Sequence, residues 1–173
     1  RVDNRVRLVQ RLTLARAPSD FAVPSGDEGG TIANGSSRDG TIALGDLDLY
    51  KFEARVGEVL SLSIAETSET KAPFFPWIRL WAPNGRGIGR ATGDLTAQIN
   101  VAATLSGAYT VVVGSGTLTN NYTGTGTYRL TIANAAGPVT ISAGDEGGAL
   151  VNGANHEGKI PLGDLDIWTF QAA

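Results

Sequence analysis

Residues 25–54 read SGDEGGTIANGSSRDGTIALGDLDLYKFEA, and residues 143–172 read AGDEGGALVNGANHEGKIPLGDLDIWTFQA. Gly26 matches Gly144, Asp46 matches Asp164 and Phe52 matches Phe170, each at an offset of 118. The match continues upstream without a gap, since RLTLARA from Arg11 aligns with RLTIANA from Arg129. One offset held over so long a stretch marks an internal repeat, and a unit of that size suits one β-sandwich domain. The turn residues NAAGP follow residues 128–132, which therefore read as the last strand of a unit. Residues 10–14 then read as the last strand of an earlier one. The organisation expected is a terminal strand of a preceding or neighbouring module (1–19), a complete module (20–136) and the first half of a following module (137–173).

Composition agrees with an all-β chain. Apolar residues make up 42% of the sequence and charged residues 18%, the balance of a chain that builds a core rather than one that stays disordered. The 23 glycines, set among Thr, Ser, Val and Ala, punctuate short segments of period two. No stretch sustains a helical period of 3.6. Tyr50, Phe52 and Ala54 fall on one face of a strand, as do Leu60, Leu62 and Ile64. Tyr109, Val111 and Val113 repeat the pattern, then Tyr128, Leu130 and Ile132. Asn84 and Gly85 read as the turn of a hairpin within WIRLWAPNGRGIG. The fold class expected is a jelly-roll-like antiparallel β-sandwich, one complete module with partial copies at both ends.

GTIALGDLDLYKFEARVGEVLSLSI, WIRLWAPNG, LSGAYTVVV and GTYRLTI, in that order, resemble the bacterial pre-peptidase C-terminal domain family. The resemblance spans the complete module from about Gly40 to Ala133, and its first half recurs from Gly158. It implies a β-sandwich appended to secreted bacterial peptidases and other surface proteins, some members binding calcium or fibrous protein such as collagen. No peptidase domain accompanies it in this sequence.

Net charge is −3, too mild to suggest nucleic acid, although Arg1, Arg5, Arg7, Arg11 and Arg16 make the first residues basic. No apolar run approaches a membrane helix, so no membrane insertion is expected. With no cysteine there is neither a disulfide framework nor a thiolate zinc site. The sequence starts with Arg and shows no signal peptide, which leads us to expect a processed chain or part of a longer one. The setting expected is extracellular or cell-surface.

An enzyme is not expected. The single histidine, His156, falls in the partial copy opposite Arg38, so the complete module has no His or Cys from which to build a nucleophile–base pair. Acidic residues are the better candidates. Asp27 and Glu28 precede paired glycines, Asp46 and Asp48 open a strand, and all four recur as Asp145, Glu146, Asp164 and Asp166. Carboxylates so clustered suit Ca²⁺, although no cofactor is required and Asp also serves simply to brace turns.

Trp77, Arg79 and Trp81 alternate with Ile78 and Leu80, and read as an outward platform for a sugar ring or a neighbouring subunit, or as a face covered by the module's own loop. Asn34 and Asn121 head glycosylation sequons. The N-terminal strand puts Val6, Leu8, Leu12 and Leu14 on one face and Arg5, Arg7 and Arg11 on the other, with Gln10 interrupting.

Strands lacking neighbours call for a partner. The functional expectation is therefore a subunit of an extracellular filament or a tandem-repeat surface rod, joined head to tail by strand complementation with copies of itself or with adjacent repeats. Arg7, Leu8, Arg11, Leu12 and Leu14 would join at one end, and Leu165, Ile167, Trp168 and Phe170 at the other. The alternative is a secreted accessory module that binds polysaccharide or fibrous protein through the Trp77 face, stabilised by Ca²⁺.

Overall fold

A computed structural model describes residues 20–69, 73–116, 124–134, 136 and 138–171. The N-terminal strand residues Arg7, Leu8, Arg11, Leu12 and Leu14 lie outside them, as does Asn121. Among the described residues every element is a strand. No helix is long and apolar enough to cross a membrane.

Two sheets make the sandwich. The first is five-stranded, in the order β1 (Gly29–Thr31), β3 (Asp48–Ala54), β8 (Gly107–Ser115), β5 (Pro76–Trp81) and β6 (Gly87–Thr92). The second is four-stranded: β2 (Ser37–Ile42), β9 (Gly126–Asn134), β4 (Val59–Glu69) and β7 (Thr96–Ala102). From β1 to β9 the chain changes sheet at every step except the hairpin of β5 and β6, which stays within one. In that hairpin Gly85 alone takes a positive φ, 80°, while Asn84 braces the turn by accepting the Arg86 amide at 3.1 Å. The pairing of β1 with β3 is parallel, a departure from the wholly antiparallel sheets expected.

The alternation read from the sequence decides the core. Tyr50, Phe52, Ile78, Leu80, Tyr109, Val111 and Val113 enter from the first sheet, and Leu60, Leu62, Ile64, Tyr128, Leu130 and Ile132 from the second. Each such side chain contributes roughly 1.5–3 kcal/mol by leaving water. The polar strand β2, SRDGTI, has little sequence signal of its own. It forms because β9 offers it a full antiparallel ladder from Ser37↔Thr131 to Ile42↔Gly126. Gly40 stands opposite Tyr128 in that ladder, and a β-carbon there would occupy the space of the Tyr128 ring.

The repeat is conformational as well as sequential. Gly29↔Leu49 and Gly147↔Ile167 set the same parallel register 118 residues apart, the latter between β10 (Gly147–Ala149) and β11 (Ile167–Thr169). Burial differs sharply between the copies. Ile42 is 2% exposed and Phe52 4%, whereas their counterparts Ile160 and Phe170 are 69% and 73% exposed. The second copy has formed its turns and strand pair with its apolar face open.

Gly40→Val is expected to lower stability by about 1–3 kcal/mol through overpacking against Tyr128, read as a lower urea midpoint. Thr41→Val, exposed on the same strand, should move it by less than about 0.5 kcal/mol.

Candidate metal centre

Two turns and a strand end build the site. Asp27 closes one turn, its amide donating to the Pro24 carbonyl at 3.1 Å, and its carboxylate accepts the Glu28 amide at 3.2 Å. Asp46 closes a second turn of the same form on Ala43, at 3.1 Å, and accepts the Leu47 amide at 3.0 Å. In each turn glycine sits just before the aspartate with φ near +80°, as a type II turn demands of its third residue. Asp48 follows as the first residue of β3 and is 1% exposed. One carboxylate oxygen from each of Asp27, Asp46 and Asp48 lies within 4.8 Å of the others. Glu28 is not part of that convergence, although its charge acts on Asp48.

Beneath the carboxylates runs a buried hydroxyl chain. Tyr128 donates to Asp48 Oδ2 at 2.5 Å and lies 2.8 Å from the Tyr50 hydroxyl, which must therefore donate to it. Asp48 Oδ1 has no hydrogen-bond partner although it is fully buried. Burial pushes the Asp48 carboxyl up to about 7, against the Tyr128 hydrogen bond and reinforced by the charges of Asp46, Glu28 and Asp27. Burial likewise pushes Tyr50 up to about 12 and raises Tyr128 well above the ordinary phenol. An orphaned buried oxygen within a ring of carboxylates fits a hard cation that takes oxygen ligands. Asp27 and Asp46 would each add a carboxylate oxygen.

The second copy repeats the arrangement. Asp145, Asp164 and Asp166 converge within the same limit, and Asp166 Oδ1 also lacks a partner. Burial and the neighbouring acids raise both Asp164 and Asp166.

This second cluster rests on the outer face of the four-stranded sheet. Gly163 contacts Ala65 so closely that an added β-carbon would stand 2.5 Å from that of Ala65, and its φ of +83° also demands glycine. Thr131 donates from Oγ1 to the Gly163 carbonyl at 2.9 Å, the Ser37 amide donates to Ser142 Oγ at 3.4 Å, and the Thr140 amide donates to the Asn34 carbonyl at 2.8 Å. Ser63, Ala65 and Thr131, on the side of the sheet away from the core, are buried. Beside the seat, Arg129 is gripped by Asp39 at 2.9 and 3.2 Å, which raises its pKa, with Asp164 and Asp145 adding to the effect against desolvation.

None of these seat residues was singled out from the sequence except Asn34, and that for another reason. Its amide donates to the Asn134 and Pro138 carbonyls at 2.9 and 3.0 Å and accepts the Asn134 amide at 2.5 Å. A glycan on Nδ2 would displace a donor from this pin, so the sequon reading of Asn34 does not fit the fold.

Trp77, Arg79 and Trp81 do share the outer face of the first sheet. Trp77, however, is 5% exposed, packed with Leu49 and Val112 beside Phe21 and Leu47, and so is not offered to a ligand. Of the second-copy residues expected to join modules, Ile167 and Trp168 are spent in β11 and Phe170 stands open. His156 stacks edge-on against Trp168 at 4.9 Å and accepts the Val151 amide.

No family model matches the chain, and no curated protein matches it. Solved structures resemble it in outline. One is the pre-peptidase C-terminal domain of a collagenase from Bacillus anthracis, at 18% identity and a TM-score of 0.48, covering 61% of this chain and 95% of that one. That domain carries the name of the family which the sequence resembles. Another is the periplasmic inhibitor of g-type lysozyme from Aeromonas hydrophila, at 19% and 0.48, covering 63% and 99%. A third is a surface-associated copper-binding protein of Methylomicrobium album BG8, at 10% and 0.45, covering 62% and 98%. Likeness at this level is likeness of shape, and the functional reading rests on the chain's own residues.

Since Asp48 holds its proton to about 7 in the fold and releases it near 3.8 when unfolded, its contribution to stability falls as pH rises from about 4 to about 7. The full span is worth roughly 4 kcal/mol. Without metal, the thermal midpoint should drop between pH 5 and pH 8, and Asp48→Asn, which keeps an acceptor for Tyr128, should flatten that drop; an unchanged slope would count against the burial argument. Gly163→Val should unseat the second copy and expose the Thr140 amide to hydrogen exchange, while the complete module's own amides stay protected.

Proposed function

We propose that this chain is a structural repeat of an extracellular rod or filament, in which successive β-sandwich modules abut through a fixed seat and the open half of one is completed by strands of the next. The observation that carries this is the contrast between identical positions. Ile42 and Phe52 lie in a finished core, and Ile160 and Phe170 present the same apolar face to solvent. Large apolar side chains left so open are the mark of a surface that meets a partner. Strand addition by a neighbouring module supplies both backbone hydrogen bonds and a core for them.

The seat supports a rod rather than beads on a loose string. The second copy is held by hydrogen bonds through Asn34, Ser37 and Thr131, and by direct packing of Gly163 on Ala65. Ca²⁺ is the cation proposed for Asp27, Asp46 and Asp48, because the donors are all carboxylate oxygens and one of them lacks any other partner. Its place between two turns and the start of β3 would brace the end of the module. The role proposed is non-catalytic.

Sedimentation velocity and negative-stain imaging of the chain at micromolar concentration test the assembly. Association into linear particles is expected, with Phe170→Asp and Ile160→Asp each giving a monodisperse monomer. Wild-type chain that stays monomeric and behaves as the variants do would sink strand completion between copies. Calcium at about 100 times its dissociation constant should stabilise the fold by roughly 2.7 kcal/mol. Asp48→Asn should abolish that gain.

A further inference from the structure

We propose that Arg79, Arg90 and Trp81 form a binding site for an acidic saccharide, a sugar ring carrying a carboxylate or sulfate. Arg79 and Arg90 stand directly opposite each other across the hairpin of β5 and β6. Ile78 and Leu80, the neighbours of Arg79, point into the core, so both arginines face outward. Like charges directly opposed across a ladder destabilise it, and a bound anion is what removes the repulsion. Among the described residues neither arginine makes an ion pair.

Arg79 is also pre-organised. Its guanidinium lies 4.8 Å from the ring of Trp77, which is itself wedged into the outer apolar cluster. Its Nε is buried without a hydrogen-bond partner, a donor with nothing yet to donate to. Trp81 stands half-buried next along the same face, packed against the Trp77 cluster, with Gly87 rather than a side chain opposite it in the hairpin. The register slips between Leu80 and Trp81, and the irregularity opens a shallow cavity of about 490 Å³ lined by Arg79, Trp81, Ile88 and Arg90.

The volume suits a small ligand rather than a protein surface. Paired guanidiniums recognise carboxylate and sulfate through forked, charge-assisted hydrogen bonds. An aromatic face takes the apolar side of a pyranose. β6 is the outer edge strand of its sheet, which places the site at the sheet margin. The net charge of −3 argues against a general attraction for polyanions, which makes local recognition by these groups the readable effect.

The test is calorimetric titration of the purified chain with polygalacturonate, with dextran sulfate and with neutral dextran, all in EDTA so that no cation bridges carboxylates to the acidic turns. Binding of one or both charged polymers and not of neutral dextran is expected. The polymer that binds more tightly identifies the anion as carboxylate or sulfate. Arg90→Ala, at an exposed position, should weaken binding roughly tenfold or more, Arg90→Lys should weaken it less, and the thermal midpoint should not fall. Equal binding of neutral dextran, full affinity in Arg90→Ala, or no binding to either charged polymer would each overturn the proposal.

Discussion

The hydrogen bond from Tyr128 to Asp48 is the constraint on which the acidic end of the module depends. Tyr128 comes from β9 in one sheet, while Asp48 and Tyr50 come from β3 in the other, so the chain of hydroxyls ties the two layers together at one end of the sandwich. A charged group so placed must be satisfied by neighbours, neutralised by a proton or met by a cation. Only one of its two oxygens is satisfied from within the protein. Gly40 is part of the same device, since its missing side chain is what lets the Tyr128 ring lie where it reaches Asp48.

The turn before Asp48 in the first copy has the same form as the turn before Asp166 in the second, and the second sits on a patch of small side chains on the outside of the preceding sheet. Ser63, Ala65 and Thr131 have no bulk to hold the incoming turn away. Acidic cluster and seat therefore belong to one segment.

Much of this was legible in the sequence because it depends on period. Alternation at Tyr50, Phe52, Tyr109, Val111, Tyr128 and Leu130 assigned the core-facing residues correctly, and the offset of 118 anticipated a second set of turns. What depends on partners across space was hidden. Strand β2 is polar and exists through its ladder with β9. Asn34 looked like a glycan acceptor because its local pattern is a sequon, while its amide is spent on Asn134 and Pro138, about a hundred residues further on. Trp77 alternated as an outward residue should, and pattern alone does not say that Leu47 and Phe21 lie over that face. Glu28 stood next to Asp27 in sequence and apart from it in the convergence.

The likeness of the two stretches, identical at 16 of 30 positions, also bears on how such a chain folds. Adjacent segments that form the same turns and the same parallel pair compete for the same place in a sandwich, and tandem repeats characteristically misfold by exchanging such elements. Among the positions that differ, residue 50 against residue 168 bears directly on the buried hydroxyl chain. Tyr50 supplies the hydroxyl that Tyr128 accepts, whereas Trp168 has no hydroxyl and a larger ring. A second copy inserted in place of the first would leave the buried Tyr128 oxygen short of its donor and overfill the space around it. This aromatic difference thus disfavours exchange of one stretch for the other.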